Sequence, residues 1–137
     1  MSAPQYLLET STAIDVLRGR RPDLRQSFNA HAGSLVTSSI VVSELLFGAL
    51  RSSEPRRLRD HVEQMLGLLP VLDFDEAAAI HAADIRAELA SEGSPIGAYD
   101  TLIAGHARSR GLVVITENGR DFGRVGGLRW NSWRADS

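Results

Sequence analysis

Four acidic residues that are far apart in the sequence, Glu9, Glu44, Asp100 and Asp121, each border or interrupt an apolar segment. Carboxylates that are gathered in one place repel one another unless a cation is held among them. Carboxylate oxygens are also the ligands that hard divalent cations prefer. The pattern therefore predicts a metal site, provided that the fold brings these four residues together.

Taken singly, each acid has an ordinary structural explanation. Glu9 fits a solvated strand end, Glu44 a charge on a helix surface, Asp100 the first turn of a helix, and Asp121 a turn. Glu44 is the most informative of the four, because its neighbours on both sides are apolar and an unpaired buried charge is costly.

Three hydroxyl residues adjoin the predicted site. Thr10 and Ser11 follow Glu9, and Thr116 ends an apolar segment. Such hydroxyls either hydrogen-bond a phosphate or a water in a metal site, or they cap a helix, as the cluster of Thr10, Ser11 and Thr12 is placed to do. Both interpretations are open from the sequence.

The composition is that of one compact domain spanning residues 1–137, with 43% hydrophobic residues. We expect a cytoplasmic protein, since the sequence has no apolar run that could span a bilayer and no signal-like N-terminus. There is no cysteine, which excludes disulfides and thiolate metal sites.

All 15 basic residues are Arg, and the net charge is −2. The planar guanidinium group can hold phosphate oxygens in a bidentate manner, so nucleic-acid binding is compatible with this charge if the Arg side chains gather at the site. On composition alone, codon bias in a GC-rich genome is the favoured explanation for the use of Arg.

The apolar periodicity predicts short strands that alternate with helices. Gly19 and Gly111 are expected to end helices, while Pro22 and Pro55 are expected to open them. The predicted strands are 6–8, 35–37, 71–72, 112–115 and 126–130, and the predicted helices are 10–18, 22–31, 39–50, 55–69, 75–92 and 98–110.

This alternation favours an α/β fold with a mostly parallel sheet of about five short strands, covered by helices on both faces. In such sheets, ligands gather beyond the carboxyl ends of the strands. Glu9 and the segment 116–121 are expected to lie at that edge.

Four segments, residues 6–11, 38–49, 97–107 and 114–122, resemble in order and spacing the successive motifs of PIN-domain ribonucleases, and more narrowly those of VapC toxins. The resemblance covers nearly the whole chain. It implies a single PIN domain with a three-layer α/β/α fold.

The resemblance further implies an endoribonuclease that depends on Mg²⁺ or Mn²⁺, with a transfer RNA as the expected substrate. The acidic positions of the family correspond to Glu9, Glu44, Asp100 and Asp121. The expected partners are a VapB-type antitoxin, a second copy of the chain and a toxin–antitoxin hetero-oligomer. The helix around Leu58 and the segment after Glu44 either form walls of the antitoxin groove or serve core or dimer packing.

Glu9 departs from the family pattern, which has Asp at this position. Because Mg²⁺ demands near-ideal geometry, a side chain that is one methylene longer can weaken or move the ion. Either the site has adapted to Glu9 or the activity is reduced, and we expect Glu9→Asp to raise metal affinity and cleavage.

Further candidates lie around the acids. Arg120 and Arg86 are candidates for contacts with RNA phosphates, as are Arg108 and Arg110, although a solvated helix face explains most of them. Glu117 is a candidate fifth acid. Trp130 and Trp133 either stack on bases or complete the core, and the four histidines are interpreted as surface or packing residues.

Two alternatives are weighed against the metal nuclease. Phosphoacceptor domains also place Asp at strand ends, but they typically use a Lys, and this chain has none. The second alternative is a catalytically impaired PIN module that acts mainly through antitoxin binding.

Overall fold

The computed structural model describes residues 3–19 and 21–134. Five strands and seven helices lie within these residues, and the periodicity predicted the five strands and six of the helices. Their bounds are β1 (Tyr6–Leu8), α1 (Thr10–Arg18), α2 (Pro22–Ala30), β2 (Leu35–Ser38), α3 (Ser39–Leu50), α4 (Pro55–Leu66), β3 (Val71–Leu72), α5 (Glu76–Ser91), α6 (Ala98–Ser109), β4 (Val113–Ile115), α7 (Gly119–Phe122) and β5 (Trp130–Asn131).

The helix boundaries follow the predicted signals. Pro22 and Pro55 open α2 and α4, where their missing N–H groups leave no hydrogen bond unmade. Gly19 ends α1 with φ = 62°, and Gly111 follows α6 with φ = 65°, a conformation that favours glycine. The short helix α7, which contains Asp121, was not predicted.

The sheet has the order β3-β2-β1-β4-β5, and its paired strands are parallel. Right-handed crossovers then place α1 to α4 on one face and α5 and α6 on the other. The observed packing of α1 against α2, α3 and α4, and of α5 against α6, agrees with this arrangement. The predicted three-layer α/β/α fold is confirmed.

The central strands β1 and β4 form the middle of the core. Leu7, Leu8, Val114 and Ile115 are fully buried, as expected for parallel strands that are covered on both faces. The direction of the strand order reverses between β1 and β4, which is the position where ligands bind in sheets of this class. Glu9 and Thr116 directly follow these two strands.

The two tryptophans differ in their packing. Trp133 stacks on His31 with 5.3 Å between ring centroids and packs against the core. Trp130 remains 42% exposed, so the prediction that it completes the core was wrong. Its ring instead lies over Gly119 of α7, where a Cβ atom would come within 2.1 Å of the indole.

None of the described helices is both long and apolar enough to cross a bilayer.

Candidate active site at the carboxyl ends of the central strands

Glu9 lies at the end of β1 with only 3% of its surface exposed. Its carboxylate accepts hydrogen bonds from the Ser11 N–H at 2.8 Å, from Ser11 Oγ at 2.6 Å and from Thr116 Oγ1. Glu9 therefore caps α1 with its own side chain, and the prediction that a hydroxyl of the following cluster is the cap was wrong. The polar partners explain how a carboxylate is tolerated at this depth.

Glu44 lies in the middle of α3. Thr10 Oγ1 donates a hydrogen bond to Glu44 Oε1 at 2.7 Å, which links the start of α1 to the middle of α3. The side chain is partly buried, in keeping with the apolar residues beside it in the sequence. Thr10 thus orients Glu44, while Ser11 and Thr116 orient Glu9.

Asn118 joins the remaining two acids. Its Nδ2 group donates to Asp100 Oδ2 at 3.0 Å and to Asp121 Oδ2 at 3.1 Å. Asp100 lies in the first turn of α6 and Asp121 in α7, so one amide holds two helices together. Asn118 was not predicted as a site residue from the sequence. Its only sequence signal is its position between Thr116 and Asp121.

The four acids influence one another electrostatically at Asp100. Burial, followed by the negative charges of Glu9, Glu44 and Asp121, raises the pKa of the Asp100 carboxyl to about 6. The Asn118 hydrogen bond opposes this effect. The fold thus brings together all four acids that the sequence singled out.

The donor set fits a hard divalent cation, because it consists of carboxylate oxygens whose mutual repulsion a cation would relieve. Within residues 3–19 and 21–134, however, no three acidic or histidine side chains are already arranged around one ion. In the structure, the Glu9 carboxylate accepts hydrogen bonds from Ser11 and Thr116, and the Asp100 and Asp121 carboxylates accept hydrogen bonds from Asn118.

Comparison with known proteins agrees with this geometry. Residues 6–128 match the PIN domain family. The tRNA(fMet)-specific endonuclease VapC of Salmonella typhimurium is 45% identical over 94% of this chain and 98% of its own length. The protein of the same name from Shigella flexneri is 43% identical with the same coverage.

The chain belongs to the VapC family of PIN-domain proteins. A chain in the crystal structure of DNA-bound VapBC from Salmonella typhimurium superimposes on it with a TM-score of 0.92 and 44% identity, covering 96% of this chain and 99% of the other. PIN-domain nucleases use divalent metal ions, which agrees with the carboxylate donors at the site.

Glu117 does not join the acids of this PIN domain. Its carboxylate accepts a hydrogen bond from Ser132 Oγ at 3.0 Å and forms an ion pair with Arg134. The interpretation of Glu117 as a fifth metal ligand was therefore wrong, because the side chain is directed to the C-terminal segment. Its backbone N–H donates to Ser11 Oγ at 3.0 Å.

The arginines near the site and on α5 and α6 differ in their exposure and in the groups that they contact. Arg120 is exposed on α7 next to Asp121, and Arg124, which the sequence analysis did not single out, lies 3.9 Å from Asp121 Oδ1. Arg86 is exposed on α5, where it lines a cavity of about 730 Å³ between α5 and α6. Arg108 binds His81 Nδ1 and the Gly126 carbonyl oxygen, each at 2.9 Å, which favours a structural role.

His106 is fully buried on α6 and lies 2.8 Å from Ser38 Oγ through its Nδ1 atom. Burial lowers the pKa of its imidazole. The interpretation of this histidine as a packing residue is confirmed.

Proposed function

We propose that this chain is the ribonuclease toxin of a VapB–VapC pair and that it cleaves transfer RNA in the cytoplasm. The observation that carries the proposal is the gathering of Glu9, Glu44 and Asp121 around Asp100 at the junction of β1 and β4. The relatives named tRNA(fMet)-specific endonuclease match the chain over nearly its whole length. The initiator transfer RNA is therefore the first substrate to test.

Glu9, Glu44, Asp100 and Asp121 are the residues that would hold Mg²⁺ or Mn²⁺. When bound, the ion would lower the pKa of a water molecule and neutralise the charge that develops on the phosphate during hydrolysis. Thr10 and Asn118 orient these carboxylates through the hydrogen bonds described above. Such orienting partners typically matter for metal affinity.

Arg120 and Arg124 flank Asp121 and would contact the phosphates of the RNA on either side of the cleaved bond. Arg86 is the weaker candidate, because the cavity that it lines includes none of the four acids among the described residues. Neutralising the RNA backbone with Arg side chains would make binding depend on salt concentration.

The activity test uses the purified full-length chain with initiator and elongator methionine transfer RNAs and with Mg²⁺ or Mn²⁺. We expect cleavage that EDTA abolishes and that Asp100→Ala reduces by about 100-fold or more. Asp84→Ala, which removes an exposed acid of α5, is the matched control and is expected to retain full activity. Cleavage that resists EDTA, or equal cleavage by Asp100→Ala, would contradict the proposal.

The site of cleavage is tested by sequencing the 5′ ends of RNA after expression of the chain. We expect new ends in the anticodon stem-loop of one transfer RNA, since unpaired loops expose bases for recognition. New ends spread evenly over many messenger RNAs would contradict transfer RNA as the substrate and would indicate a broader class of RNA substrates.

A groove of about 300 Å³ between α1, α3 and α4 is the proposed antitoxin site. Ile14, Leu17, Leu45, Leu58 and Val62 line it, and Glu44 lies at its edge. An amphipathic helix or an extended apolar segment would bury its apolar side chains there and reach the acids from one side. This arrangement supports the prediction that the helix around Leu58 and the segment after Glu44 form the groove walls.

Solved structures of relatives include VapBC complexes, and we propose a homodimer that assembles with the antitoxin into a hetero-oligomer.

A second candidate function is favoured by one observation, namely that the Glu9 carboxylate already accepts three hydrogen bonds. A chain whose metal site does not form would still bind the antitoxin through the groove. Tight antitoxin binding without any metal-dependent cleavage would support this catalytically impaired module.

A further inference from the structure

Two of the three residues directly after β4 contact three of the four acids. Thr116 donates a hydrogen bond to Glu9 Oε1, and Asn118 donates to both Asp100 and Asp121. Between them, the Glu117 N–H donates to Ser11 Oγ at 3.0 Å, and Ser11 in turn donates to Glu9. The relative placement of the acids therefore depends on the conformation of residues 116–118.

The C-terminal segment, residues 130–134, holds this tripeptide from the outside. Ser132 Oγ donates to Glu117 Oε2 at 3.0 Å, and Arg134 forms an ion pair with Oε1 of the same carboxylate. Arg134 Nη2 also donates to Asp15 Oδ2 on α1 at 2.8 Å. One guanidinium group thus joins the loop after β4 to the helix that follows Glu9.

Two further contacts fix the segment itself. The Arg134 N–H donates to Ser132 Oγ at 3.0 Å, and Trp133 stacks on His31, which directly follows α2. The Glu117 side chain is only 11% exposed, so its charge would be poorly solvated without the guanidinium partner. The Arg134 side chain is 49% exposed, so only the Glu117 end of this ion pair is shielded from water, unlike ordinary surface pairs that are exposed at both ends and contribute little.

We propose that Arg134 is a positioning residue for the active site. It acts through Glu117 to hold Thr116 and Asn118 in the conformation that orients Glu9, Asp100 and Asp121. Arg134 lies outside residues 6–128, the part of the chain that matches the PIN domain family. The inference rests on the proposed function, because it assigns a role at the same site.

The first test measures amide hydrogen exchange by NMR in the full-length, metal-free protein. Arg134→Gln is expected to accelerate exchange about tenfold at the Glu117 and Asn118 N–H groups, since these donate to Ser11 Oγ and Thr116 Oγ1 only while the tripeptide is held in place. Arg134→Lys, which keeps the charge but not the fork, is expected to restore part of the protection. This measurement does not depend on cleavage.

The second test measures cleavage with the same variants. We expect Arg134→Gln to lower kcat about tenfold with little change in KM, because displaced catalytic groups impair the chemical step more than binding. Arg134→Lys is expected to recover part of kcat.

Arg59→Gln is the matched control, because Arg59 forms an exposed ion pair with Glu63 at 3.1 Å on α4. It is expected to leave both measurements unchanged. Unchanged exchange at Glu117 and Asn118 in Arg134→Gln would overturn the inference, as would acceleration spread uniformly over the core. Accelerated local exchange with an unchanged kcat would also overturn it. If the unsubstituted chain cleaves no RNA, the proposed function fails, while the exchange result still decides whether Arg134 orders the loop.

Discussion

At the scale of single residues, Asp100 is the acid whose ionisation depends most clearly on its surroundings. Its pKa is raised from 3.8 to about 6 by burial and by three neighbouring carboxylates. Between pH 3.8 and about pH 6, the Asp100 carboxyl is protonated to a greater extent in the folded protein than in the unfolded chain. The contribution of Asp100 to stability is therefore fully present below about pH 4 and is lost as the pH rises through about 6.

A pH titration of stability follows from this. In the metal-free protein, the free energy of unfolding of the original chain relative to Asp100→Asn is expected to decrease as the pH rises from about 4 to about 7. Urea unfolding followed by circular dichroism measures the difference. Added Mn²⁺ is expected to raise the melting temperature more above pH 6 than below it, because the ion competes with the proton. A difference that stays constant with pH would contradict the raised pKa.

Substitution of Glu9 tests whether the length of its side chain limits metal binding and cleavage. Glu9→Asp is expected to increase Mn²⁺ affinity and the cleavage rate severalfold, because a shorter carboxylate matches the family position and retains the favoured N-cap function. The shorter side chain would also lose contact with Thr116, which frees its oxygens for the ion. Calorimetric titration with Mn²⁺ and single-turnover cleavage measure the two effects. An unchanged or lower affinity would show that the site has adapted to glutamate.

At the scale of elements, two glycines in helix interiors have opposite surroundings. A Cβ atom at Gly105 of α6 would lie 2.5 Å from the Ala82 backbone nitrogen of α5, whereas one at Gly48 of α3 would meet no atom within 4 Å. Gly105→Ala is expected to lower the free energy of unfolding by about 1 to 3 kcal/mol through overpacking. Gly48→Ala is expected to raise it by about 0.5 to 1 kcal/mol. Denaturant unfolding distinguishes them, and equal effects would contradict the close packing of α5 on α6.

Most element boundaries were predictable because local signals determine them, but the last strand, predicted at 126–130, lies at Trp130–Asn131. Pro22, Pro55, Gly19 and Gly111 act on their own neighbours, and apolar periodicity distinguishes strands from helices. The helix α7 was missed because four residues are too few to show a period.

The four acids were predicted as a set, but their hydrogen-bond partners were not. Asn118 joins Asp100 and Asp121, and Arg134 joins Asp15 and Glu117. The Arg134 contacts join residues that are far apart in the chain, and nothing in the local sequence of Arg134 distinguishes it from a solvated arginine. Such partners become visible only when the fold has brought the elements together.

At the scale of the whole molecule, the groove and the active site are adjacent but separable. Leu58 lines the groove and is 37% exposed. It lies on α4, a helix that carries none of the four acids. Leu58→Arg is expected to weaken antitoxin binding at least tenfold and to leave cleavage by the free chain unchanged. Ile80→Arg, at an exposed apolar position of α5, is the control and is expected to retain binding. Titration calorimetry with the antitoxin measures this, and equal affinities would place the antitoxin elsewhere.

The placement of β1 between β2 and β4 also has a consequence during translation. Glu9 is synthesised early, but Thr116, its hydrogen-bond partner, follows 107 residues later. At ribosomal rates of about 5 to 20 residues per second, roughly 5 to 20 seconds separate the two. The nascent chain therefore cannot assemble its catalytic centre until nearly all of it has been made.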